Sequence, residues 1–324
     1  MPKEHLYWID WMKVIGIYFI ILGHLFPIGN EYIYVFSVPV FFIISGYLSY
    51  EEKDWKVFFV KLWKNLILPL IIFCFILHLA KIAESLLLGQ FRPDSIPKHI
   101  LNCLMGMQGN KDAAGGLDVC WFIYTLIICK LLQQLIGQRV LLQGLVILGC
   151  FGVALWYNSL DIHLYSAIID TSLAYPLYSF GGGVTLNRIE RLKRPVLLLG
   201  LILSVGLVFL IGFYNGGAKM YDASYGKNII LFLIGSLAGT YAIYVISVLI
   251  QNVRPSFLSI ISSGTIIILG LHPLFIRVSR ALLEPYKSFI VDYSVALLIL
   301  CAFVPIIILS KKYFPVLLGT RTSK

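Results

Sequence analysis

The stretch Ile9–Phe26, IDWMKVIGIYFIILGHLF, decides the fold. From Val14 onward it is apolar except for one ionisable side chain, His24. A bilayer crossing needs about 20 mostly apolar residues, and this run nearly fills one. A signal peptide is the competing reading. Against it, Asp10 and Lys13 precede the run, His24 interrupts it, and no small-residue cleavage site follows. The stretch is therefore expected to stay as a first membrane helix.

The rest of the chain repeats the pattern. Hydrophobic residues make up 59% of the 324 residues and charged residues 13%, with mean hydropathy +0.87. A soluble domain carries roughly 25% charged residues. The composition predicts an all-α, polytopic integral membrane protein and excludes disordered, collagen-like and disulfide-scaffold classes. Measured against a membrane helix, the sequence offers about ten transmembrane helices: 9–27, 32–50, 66–88, 118–136, 140–157, 166–186, 195–214, 228–250, 258–279 and 288–310. No internal repeat or low-complexity linker divides them, so 1–324 reads as a single domain.

With the N-terminus inside, fifteen Lys and Arg fall in inside segments, among them Lys53, Lys56, Lys61, Lys64, Arg188, Arg254 and Lys311. Seven fall outside: Arg92, Lys98, Lys111, Lys219, Lys227, Arg280 and Lys287. The asymmetry predicts cytoplasmic N- and C-termini. It also accounts for the net charge of +10, and no basic run interleaved with aromatics points to nucleic acid. The six cysteines form no CxxC pair and lie mostly in apolar stretches, so neither a structural disulfide nor a metal site is expected.

Two segments are not simple spans. Residues 51–65, EEKDWKVFFVKLWKN, mix charge with aromatics at helical spacing and read as an amphipathic helix at the cytoplasmic interface. Residues 89–117 hold Pro93, Pro97 and the Gly-rich GNKDAAGG, and read as an external loop.

Ionisable groups within a membrane are costly, which makes each a candidate for function. Lys13 and His24 stand eleven residues apart. At 100° and 1.5 Å per residue they share one helix face, about 16 Å apart along the axis. A cation near the cytoplasmic mouth and a deeper imidazole can line one path. The plainer alternative is that Lys13 snorkels to the headgroups and His24 is a satisfied polar spot near the far interface. His78, Lys81 and Glu84 read as an interfacial charged stripe, and Gly181–Gly183 as a site of close packing or an unwound turn. Asp170, Tyr175, His99, Asp112 and His163 are further polar groups that spacing does not single out. Walker A, HExxH and GxSxG signatures are absent.

The sequence from IDWMKVIGIYFIILGH through VPVFFIISGYLSY to KLWKNLILPL resembles the acyltransferase-3 family of membrane acyltransferases. That family's pattern has an Asp, a basic residue and a His on its first helix, an FFxxSGY-type second helix, and paired basic residues before a Pro that opens the third. Asp10, Lys13, His24, Ser45, Gly46, Tyr47, Lys61, Lys64 and Pro69 occupy those places. Trp121-Phe122 and the late run from Ser262 to His272-Pro273 follow in the right order. Lys at 13, 61 and 64 stands where Arg is frequent, and lacks the bidentate fork of a guanidinium. Asp118-Val119-Cys120 stands where many members place His-Leu.

The resemblance implies an O-acyltransferase that takes an acetyl or other short acyl group from cytosolic acyl-CoA, with acetyl-CoA as donor co-substrate and no metal. The acceptor is a hydroxyl of a cell-surface or exported sugar or polysaccharide, and the enzyme sits in the plasma or inner membrane. It implies His24 as general base, with Lys13, Lys61 and Lys64 holding the CoA phosphates and Asp10 steadying Lys13. Ser45 reads as a packing residue rather than a nucleophile; His272 and Trp121 are supporting residues. A transporter or exporter of a sugar or lipid-linked glycan is the rival from another class, since many helices around a midplane cavity suit it too. A non-catalytic scaffold is the third reading, and leaves the polar stripe unexplained.

Overall fold

The computed structural model describes residues 5–89, 97, 120–160, 167–183, 193–283, 286 and 288–319. The expected loop at 89–117 lies almost wholly outside these residues, as do His99, Asp112, His163 and Arg188. Helices account for nearly everything else: α1 Tyr7–His24, α2 Asn30–Tyr34, α3 Pro39–Tyr47, α4 Trp55–Leu62, α5 Leu68–Leu87, α6 Cys120–Ile136, α7 Val140–Asn158, α8 Ala167–Gly183, α9 Arg194–Asn215, α10 Ile229–Ile250, α11 Ser256–Ser263, α12 Thr265–Leu283 and α13 Phe289–Tyr313. Extended pairing among the described residues is limited to an isolated bridge between Lys219 and Ser224. This is an all-α integral membrane protein.

Among the described residues, six helices are long and apolar enough to cross a bilayer: Trp55–Leu87, Val140–Asn158, Arg194–Asn215, Ile229–Ile250, Thr265–Leu283 and Phe289–Tyr313. Cys120–Ile136 is apolar but shorter. Large apolar side chains such as Leu141, Leu148, Ile202 and Ile290 are exposed on these helices. So much outward apolar surface suits lipid rather than water.

The structure departs from the expected spans in two places. The segment 32–50 is two short helices, α2 and α3, with a turn over 35–38 before Pro39. Pro39 supplies no N–H to the turn before it, although Val38 itself keeps helical backbone, with φ −85° and ψ −46°. The segment 258–279 is likewise split into α11 and α12 at Gly264. A Cβ there would meet Ile307 at 2.4 Å, so glycine permits α13 to lie against the break.

α1 is the central helix and packs on α10, α11, α12 and α13. Its buried residues include Trp8, Asp10, Met12, Gly16, Ile17 and Gly23, and such all-round burial marks a helix inside a bundle. Asp10, Lys13 and His24 dilute its hydropathy, which is why it is not among the six most apolar helices.

α3 and α8 meet at backbone distance. A Cβ on Gly46 would stand 1.8 Å from the Tyr178 carbonyl oxygen, and one on Gly181 would stand 2.1 Å from that of Ile43. Small residues let membrane helices approach this closely. The glycine of the Ser45-Gly46-Tyr47 turn and the first of the Gly181–Gly183 run are packing positions, as the sequence suggested.

Within the amphipathic segment, α4 starts at Asp54, whose side chain accepts from the Lys56 backbone N–H at 2.8 Å. Phe58 and Leu62 are its buried residues, the i and i+4 positions of one face. A π-helical turn at Trp63–Ile67 joins α4 to α5, immediately before Pro69.

Candidate active site

The α1 stripe is tied down at its first turns. Asp10 is buried; one carboxylate oxygen accepts a short hydrogen bond from Ser262 Oγ on α11, and the other is 2.6 Å from His5 Nε2. Lys13, one turn further, is partly buried. Sequence reasoning missed Ser262 and His5 as partners of Asp10. Ser262 was visible only as part of a late motif, and helical spacing cannot pair residues 252 positions apart.

At the other end of α1, His24 meets His272. Their ring centroids are 4.9 Å apart with planes inclined at 49°. His272 is fully buried on α12, and its Nδ1 lies 2.9 Å from the Ile268 carbonyl oxygen. Two side chains hold the backbone here. Tyr34 Oη donates to the Gly23 carbonyl at 3.0 Å, and the Arg280 guanidinium donates to the carbonyl of His24 itself. Arg280 also lies 4.2 Å above the Phe26 ring, and Phe26 adopts a left-handed backbone with φ 52°. That conformation costs a non-glycine residue roughly 1–2 kcal/mol. The Arg280 contact, within cation–π range, helps to hold it. A narrow groove beside this end is lined by Leu25, Ser279, Arg280, Asp292 and Val295. Sequence counting took Arg280 for a loop charge; α12 instead carries it back onto the end of α1.

Several basic residues lie on the segments at the opposite end. Trp8 of α1 and Tyr47 at the end of α3 pack with centroids 5.4 Å apart and planes inclined at 58°, and the chain runs from there towards α4. Lys61 is exposed and makes a close ion pair with Glu52 while donating to Tyr50 Oη at 2.8 Å. Burial raises the Glu52 pKa, but hydrogen bonds from Lys61 and Tyr50 outweigh it and hold the carboxyl below its ordinary value. Lys64 projects from the π-helical turn and is exposed. Arg254 lies 4.0 Å over the Tyr7 ring at the same end.

The other predicted residues fall elsewhere. Trp121 is buried on α6, where it and Phe122 pack against Phe42 of α3 with centroids at 6.5 and 4.7 Å. Ser45 is partly buried at the α3–α8 contact. Glu84 of the α5 charged stripe pairs with Arg277 of α12 at 2.9 Å.

A cavity of about 260 Å³ opens between α1, α3, α8 and α10, lined almost wholly by apolar groups including Trp8, Met12, Ile44, Phe180 and Tyr244. It opens on the Trp8–Met12 side of α1, roughly 100° or more round the helix from Lys13 and His24, with Ile9 at its edge about 40° from Lys13. It therefore lies mainly to one side of the polar stripe.

The chain thus has an imidazole pair at one end of a buried helix, while Lys61, Lys64 and Arg254 are carried on the segments at its other end. No curated protein and no solved structure matches the chain. A family model described as an acyltransferase domain matches residues 6–310. That match covers nearly the whole sequence, and the chain belongs to the acyltransferase-3 family: it is a membrane acyltransferase.

Proposed function

We propose that the protein transfers an acetyl or other short acyl group from cytosolic acyl-CoA to a hydroxyl of a cell-surface or exported sugar. In this reading the chain crosses the plasma or inner membrane ten times, counting α1, α2–α3, α6 and α8 with the six long helices. Both termini are cytoplasmic, and the end of the bundle that carries Lys61, Lys64 and Arg254 faces the cytosol. The observation that carries the reading is the polarity of α1. One buried helix runs from that basic end to the His24–His272 pair, about 16 Å beyond Lys13. A donor with a phosphate-rich head and a long neutral arm suits that layout, and acyl-CoA has this form.

Lys13, Lys61 and Lys64 bind the CoA phosphates as point charges, and the pantetheine arm follows α1 inward. His24 takes the proton of the acceptor hydroxyl as its oxygen attacks the thioester carbonyl. The carbon–sulfur bond breaks, the CoA thiolate leaves, and the proton passes from His24 to that sulfur. General-base help of this kind is worth about 10²–10⁴ in rate. Membership of an acyltransferase family favours this reading over glycan transport.

The test is release of free thiol from acetyl-CoA by the purified protein in nanodiscs, with wild type and His24→Ala compared for turnover and for CoA binding. Binding by both with turnover by wild type alone is the expected result. If neither protein binds acetyl-CoA or another short acyl-CoA, the donor assignment is wrong.

A further inference from the structure

The far end of α1 holds a lone pair that the described residues leave unsatisfied. His272 is fully buried, and its Nδ1 is 2.9 Å from the Ile268 carbonyl oxygen one turn back. A carbonyl only accepts, so Nδ1 carries the ring proton and Nε2 is a bare acceptor. Among the described residues Nε2 has no hydrogen-bond partner. A buried acceptor is expensive to leave unmade, and a packing histidine in an apolar bundle does not need one.

The ring beside that of His272 is His24, with the two centroids 4.9 Å apart. At that separation a rotation of the His24 ring brings one of its nitrogens within hydrogen-bond range of Nε2. The backbone does not need to follow, since Tyr34 and Arg280 hold the carbonyls of Gly23 and His24. The imidazole is only partly buried, which leaves it room to turn.

We propose that His272 is a positioning residue: its Nε2 accepts the ring N–H of His24 and so commits His24 to the tautomer whose other nitrogen is bare toward the acceptor. The proposal rests on His24 being the base in the reading above. In the transfer step the acceptor proton moves to that bare nitrogen while the new carbon–oxygen bond forms and the carbon–sulfur bond breaks. His24 is then doubly protonated, with one N–H held by His272, and returns the other proton to the CoA sulfur. His272 stays neutral throughout, its Nδ1–H committed to Ile268.

Two variants separate this role from packing. In His272→Asn the amide N–H stands near Nδ1 and keeps the bond to Ile268, but the distal acceptor is gone. In His272→Gln the side-chain oxygen stands near Nε2 and the bond to Ile268 is lost. We expect thiol release from acetyl-CoA to fall about 10–100-fold in kcat for His272→Asn, with KM unchanged. We expect His272→Gln to keep most of the activity. The opposite order, or equal loss in both, overturns the proposal.

A second measurement does not depend on variants that fold. In ¹⁵N-histidine-labelled wild type in lipid, solid-state NMR should show an N–H···N correlation between the two imidazoles and a single neutral tautomer for His24. Absence of that correlation overturns the proposal as well. If wild type releases no thiol at all while the correlation is present, the donor assignment has failed and the histidine pairing stands.

Discussion

Asp10 and Ser262, 252 residues apart in sequence, share a short hydrogen bond that ties the first turns of α1 to α11. The carboxylate is buried, so its remaining partners matter. Hydrogen bonds to charged groups contribute about 1.5–3 kcal/mol. Ser262→Ala should lower stability by that order in a reversible denaturation series in detergent, and His5→Ala, at the exposed side of the same carboxylate, by less.

Glu52 and Lys61 form the second pair of interest, because it occupies a cation that the proposed donor needs. Glu52→Gln should lower KM for acetyl-CoA several-fold at low ionic strength, and the gain should shrink as salt is added. The pH dependence has a definite sign. A carboxyl held below its ordinary pKa contributes stability above the ordinary carboxylate range and loses it as pH falls through the lowered value. The pair is exposed on the Lys61 side, so its contribution is small. Acid should thus weaken the Glu52–Lys61 contact without unfolding the protein, which far-UV circular dichroism would check.

Gly46→Ala should be severely destabilising. The added methyl would meet the Tyr178 carbonyl at 1.8 Å, and backbone cannot swing aside as a side-chain tip can. Overpacking typically costs 1–3 kcal/mol, and about 3 kcal/mol or more is expected here. Gly144→Ala, where nothing lies within 4 Å, is the matched control and should be neutral. Thermal unfolding of the two proteins in the same detergent compares them directly.

Leu237→Phe adds volume to the cavity of about 260 Å³ beside α10. That space lies off the Lys13–His24 stripe, so thiol release should stay within about twofold of wild type, as for volume changes a site can absorb. A tenfold loss would place the cavity on the reaction path.

Much of this arrangement was readable in advance because it depends on periods within one segment. The shared face of Lys13 and His24 follows from helical geometry alone, and so does the pairing of Phe58 with Leu62 on one face of α4, although Trp55, Phe59 and Trp63 of the same segment are exposed. The close packing at Gly46 was likewise suggested by its neighbours. What stayed hidden are the contacts between distant segments. Nothing local pairs Asp10 with Ser262, sets His24 against His272, or turns Arg280 from a loop charge into a clamp. The breaks at Pro39 and Gly264 were missed for another reason. Averaged hydropathy sees apolar residues on both sides of a break and reports one continuous span, while the backbone responds to a missing N–H or a missing Cβ at a single position.

The anchors on α1 have a consequence for reach. Ser262 grips one end through Asp10, and Arg280 grips the other through the carbonyl of His24. Both come from the α11–α12 arm, so the helix is clamped like a bar in a caliper. In the proposed reaction its span would set a fixed interval between a charge held near Lys13 and an atom presented to His24. A thioester with a much shorter arm, or one stripped of its phosphates, would either lose its anchor or fall short of the imidazole. Discrimination among donors would then be a matter of length as much as of charge.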